Sequence, residues 1–96
     1  MSQTQQRQAD LIHRLRVRPP SSWSDARVTL ARQAVQELAD LAADASGEPR
    51  RTVPHLHPMA LADQLGVLLA DAADAGVRAD DLEKLFERLA AGLAVR

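Results

Sequence analysis

The chain has 96 residues, with no cysteine, no tyrosine, one tryptophan and one phenylalanine. Without cysteine there is no disulfide, no thiolate metal site and no cysteine nucleophile. Two aromatics argue against an enclosed pocket for an aromatic ligand, because such pockets are lined largely by aromatic side chains. No charge of one sign dominates: 12 Lys+Arg stand against 13 Asp+Glu, so bulk attraction to nucleic acid or an anionic membrane is not expected. No apolar run approaches the ~20 residues of a membrane helix. The polar start MSQTQQRQAD does not read as a signal peptide, so the expected location is the cytoplasm. A glycine-rich phosphate loop is missing too, as is any nucleophile and base that spacing would bring together. No cofactor is implied.

What is present is alanine, leucine and arginine. The apolar stock is 14 Leu, 7 Val, 1 Ile and 2 Met beside the two aromatics, diluted by 18 Ala. A domain of this size buries only about two thirds of its unfolded surface, so the core is thin. Eleven of the 12 basic residues are arginine, a bias typical of GC-rich genomes. An arginine is therefore not a phosphate ligand by identity alone.

Four helical segments and no strand emerge, within a single domain over residues 1–96. The first covers residues 5–17 and ends at Arg18-Pro19-Pro20, since consecutive prolines cannot continue a helix. Its apolar stripe is narrow, only Leu11, Ile12 and Leu15, so residues 1–20 are the most loosely held part. The second helix is the best specified. Ser24 is its N-cap, with Asp25 in the first turn and Trp23 placed to pack on Val28. Val28, Ala31, Val35, Leu38, Ala42 and Ala45 then recur at three- and four-residue spacing. A second stripe of Leu30, Ala34 and Leu41 runs beside them. The helix ends near Ser46-Gly47, after about 33 Å. Residues 47–57 form the one long loop and the expected protease site. The third helix begins at Pro58 and stops at Gly76, carrying Leu61, Leu65, Leu68 and Ala72. The fourth covers residues 79–95, with Leu82, Leu85, Phe86, Leu89 and Leu93 in register. The expected fold is all-α: a small three- to four-helix bundle with a long central second helix and a C-terminal helical hairpin.

Few constellations suggest chemistry. Residues 68–87 fit helix-turn-helix spacing through Ala72, Gly76, Val77, Leu82 and Leu85, although Asp71 sits where an apolar residue belongs. The outward face of the would-be reading helix is Arg78, Ala79, Asp80, Glu83, Lys84 and Glu87. That face is net acidic, which a helix entering a DNA groove should not be. His55 and His57, or Asp10 with His13, offer a second alternative, a metal site. A catalytic zinc usually needs three converging ligands, which this spacing does not supply. Carboxylates at Glu37, Asp40, Asp44, Asp63, Asp71 and Asp74 lie opposite the apolar stripes, where water keeps them ordinary. Asp71 and Asp74 near a helix C-terminus invite a basic neighbour, with Arg50 and Arg51 the candidates.

The strongest functional signal is apolar surface. The second helix has a wider apolar face than one neighbour needs, and a thin core gains from covering it. The expectation is a small non-enzymatic interaction or adaptor module that binds another protein or a second copy through helix faces. Leu30, Val35, Leu38 and Leu41 are its candidate association surface. Arg14 and Arg18, on the arginine-rich first helix with Arg7, would steer an acidic partner.

Overall fold

A computed structural model describes residues 3–94, and they form four α-helices with no strand among them. The helices are α1 (Gln3–Arg16), α2 (Asp25–Ser46), α3 (Leu61–Ala75) and α4 (Ala79–Ala94). The expected end of the last helix, at Val95, lies outside the described residues. Short 3-10 turns at Pro20–Ser22 and Pro58–Ala60 lead into α2 and α3.

Local chemistry sets the boundaries. The Ser24 hydroxyl accepts the Arg27 N–H at 3.3 Å, capping α2. At its far end Gly47 has φ 70°, and the Glu48 N–H reaches back to the Ala43 carbonyl at 2.8 Å. The same closure recurs after α3, where Gly76 has φ 91° and the Val77 N–H binds the Ala72 carbonyl. A left-handed residue ending each helix is what glycine provides without a Cβ clash. His57 acts at the entry to the Pro58 turn, its Nδ1 accepting the Met59 N–H at 3.1 Å.

The helices pack in a closed cycle. α2 packs most extensively on α3 and next on α4, while α1 also packs on α3 and α4. α1 and α2 make little contact with each other, and neither do α3 and α4. The last two helices thus form an open hairpin about Gly76, with few close backbone contacts between them. They diverge from the Gly76 turn, because the apolar stripes of both are taken by α1 and α2. The central place of α2 is as the sequence implied.

All four helices feed one core. Ile12 and Leu15 come from α1, and Val28, Ala31, Ala34, Val35 and Leu38 from α2. They meet Leu61, Leu65 and Ala72 of α3 and Leu82, Leu85, Phe86, Leu89 and Leu93 of α4. The radius of gyration is 12.8 Å, close to the ~12.5 Å expected for this length. The long connection is also held down. Gln36 donates to the Arg51 carbonyl and accepts the Val53 N–H, both at 2.9 Å. Arg32 donates to the Leu56 carbonyl and Gln64 to the Pro54 carbonyl. Residues 48–57 are thus strapped to α2 and α3, which a reading of proline and glycine content alone does not reveal.

Candidate functional site

The expected association surface on α2 is mostly interior. Val35 is 2% exposed and Leu38 is fully buried, so both belong to the core of this chain. The correction has a simple cause: α3 and α4 together cover the wide stripe that was expected to need an outside partner. Leu30 and Leu41 are half-buried and pack against that core. Leu30 also fills the space over Gly92, where a Cβ would collide with its methyl groups. This lets α4 lie close on α2. At the same edge Arg88 donates to Glu37 at 2.7 Å.

Arg18 is only partly exposed. Its half-buried guanidinium lies 6.0 Å from the centre of the Trp23 ring, within cation–π range. Arg14 remains exposed, and it sits on a feature that the sequence did not disclose.

That feature is a groove of about 250 Å³ between α1 and α4. Leu11 and Phe86 form its apolar floor and Ala90 its edge. Arg7, Asp10 and Arg14 stand on the α1 wall, and Glu83 and Glu87 on the α4 wall. Four of these five charges are exposed and Glu83 is half-buried; among the described residues none is ion-paired. Gln8, only 7% exposed, also lines the groove and is the one buried polar residue of the described chain. Apolar floor, polar rim and small edge residues are the anatomy of a helix-binding surface.

Only the Arg7–Arg14 alignment could be read from the sequence. Leu11 and Phe86 looked like ordinary stripe residues, and nothing marked Ala90, since α1 and α4 are far apart along the chain.

The other candidates fare differently. His57 spends its Nδ1 on the cap, and His55 borders a shallow pocket under the strapped loop, with Thr29, Arg32 and Gln64. Among the described residues no three metal-ligating side chains converge. Arg50 does not reach Asp71 or Asp74. It binds Asp44 through two bonds of 3.0 and 2.7 Å, with Asp40 at 4.0 Å. That bond to Arg50 holds the Asp44 carboxyl below its usual range. Arg16 pairs with Asp63, tying α1 to α3. The divergence of α3 and α4 at Gly76 suits a helix-turn-helix, but Glu83 and Glu87 of the second helix face the α1 groove. No helix among the described residues is long and apolar enough to cross a membrane.

Comparison of the chain with protein-family models, with curated proteins and with solved structures finds no match.

Proposed function

We propose that this chain is a small non-enzymatic interaction module of the cytoplasm, which takes up a helix of a protein partner in the groove between α1 and α4. The groove carries the reading. It combines an apolar floor with unpaired charges of both signs on its rim, and a docked helix would bury the first and pair the second. The carboxylates elsewhere support a non-catalytic role. Glu37, Asp44 and Asp63 are engaged in ion pairs with arginine at exposed or half-exposed positions, and none sits desolvated in a cleft as a general acid would.

The test uses Ala90→Arg, which fills the edge of the groove at an exposed position. Tagged wild type and variant are used in parallel to recover proteins from the native extract. Unchanged helical content by circular dichroism shows that the variant folds. A stoichiometric protein retained by wild type and lost by the variant is the expected result; equal recovery by both overturns the reading. A second reading, a DNA-binding regulator turning at Gly76, has the divergence of α3 and α4 in its favour and the acidic outer face of α4 against it. Nuclease-sensitive recovery without a stoichiometric protein would favour it.

A further inference from the structure

We infer that the occupant of the α1–α4 groove is the same groove of a second copy, in a two-fold dimer that sets each α1 across the α4 of the other chain. The inference rests on the groove being a protein-binding site, and it names the partner.

A two-fold interface must be self-complementary, since every patch meets its own copy. The groove satisfies that condition in three respects. The first is charge. Arg7 and Arg14, less Asp10 between them, leave the α1 wall net positive, while Glu83 and Glu87 leave the α4 wall net negative. Within one chain the two walls are held apart by the groove, and among the described residues none of these groups is ion-paired. A two-fold axis through the groove brings arginine wall to glutamate wall twice. Lys84, exposed beside Glu83, and Arg88, already bonded to Glu37, do not line the groove and leave its polarity intact.

Gln8 supplies the second match. A carboxamide has donors and an acceptor, so it can pair with its own copy. Gln8 is 7% exposed, lines the groove and makes no side-chain bond to another described residue. The third match is shape. Ala90, exposed at the edge of the groove, is small enough to let a facing helix approach closely. A foreign helix would need to carry acidic groups on one side and basic groups on the other at matching spacing. The chain carries that pattern itself.

The experiment is a charge exchange read by analytical ultracentrifugation of the full chain. One variant reverses the α1 wall, Arg7→Glu with Arg14→Glu. The other reverses the α4 wall, Glu83→Arg with Glu87→Arg. Alone, each variant sets like charges against each other at both halves of the dimer. Self-association is expected to weaken by on the order of 100-fold in each. Mixed in equal amounts they restore attraction at both halves, so a heterodimer forms with affinity near that of wild type. The rescue also excludes misfolding as the reason for the separate losses. A monomeric wild type, variants that still dimerise alone, or a mixture that stays monomeric each overturn the inference. A foreign protein lost from the Ala90→Arg recovery would still uphold the groove as an interaction site. Equal recovery there together with a monomeric wild type would remove both.

Discussion

The two edges of α4 are built from similar residues and end differently. On the edge facing α2, Gly92 lets Leu30 close over the helix backbone, and Arg88 reaches Glu37 at 2.7 Å. On the edge facing α1, Ala90 is exposed and Glu83 and Glu87 stand across an open groove from Arg7 and Arg14. Both edges have small residues and both have opposite charges. What differs is the approach of the two helices. Where they come close, a salt bridge forms within the chain; where they stay apart, the charges carry no ion pair among the described residues.

The largest way to break this contrast is to hollow out the closed edge. Leu89 is 2% exposed and lines the α2–α4 crevice, so Leu89→Ala should cost about 2–5 kcal/mol. Thermal melts should show a fall of more than about 10 °C in the midpoint. Leu11→Ala on the groove floor, where the side chain is only half-buried, should lose roughly half as much. Equal losses would mean that the two edges are equally closed in solution.

A smaller effect probes how Gly92 and Leu30 fit together. Alanine for glycine within a helix ordinarily gains about 1 kcal/mol. With Leu30 present the new methyl group forces that side chain aside, so Gly92→Ala should be near neutral in the wild-type chain. In a Leu30→Ala background the full gain should appear. A double-mutant cycle by chemical denaturation measures this coupling, and an identical effect in both backgrounds would deny the close approach.

The smallest effect comes from the loop strap. The Arg50 guanidinium beside Asp44 holds that carboxyl below its usual range. A carboxyl depressed in the folded state contributes stability that is present above the ordinary carboxylate value, about 3.9. The contribution disappears as pH falls through the lower folded value. Carboxyl titration by NMR should therefore find Asp44 protonating at lower pH in wild type than in Arg50→Gln. Because both side chains are exposed, high salt should shrink the difference.

Much of the helical framework is legible in the order of the residues. Ser24, Gly47, Pro58 and Gly76 act at the positions where capping and backbone preferences put them. These signals are local, and local bonds satisfy them. The candidate site is far less legible. Val35 and Leu38 have the periodicity of a buried face, but periodicity does not say whether the cover comes from this chain or from another. Arg18 and Arg14 lie four residues apart in sequence, and only the nearby Trp23 sets their surroundings apart. The straps on residues 48–57 come from Arg32, Gln36 and Gln64, polar residues that look like solvated surface when read alone.

The sequence by itself determined the class of fold, the number of helices and nearly all their ends. Those follow from hydrophobic spacing, caps and the geometry of proline and glycine, all of which act within a few residues. Only the tertiary structure decided which helices touch. That choice closed α2 beneath α3 and α4, parted α3 from α4, and brought the arginines of α1 opposite the glutamates of α4. The reason is that each apolar stripe can be buried against several others, and the selection among them depends on how all four helices pack together at once.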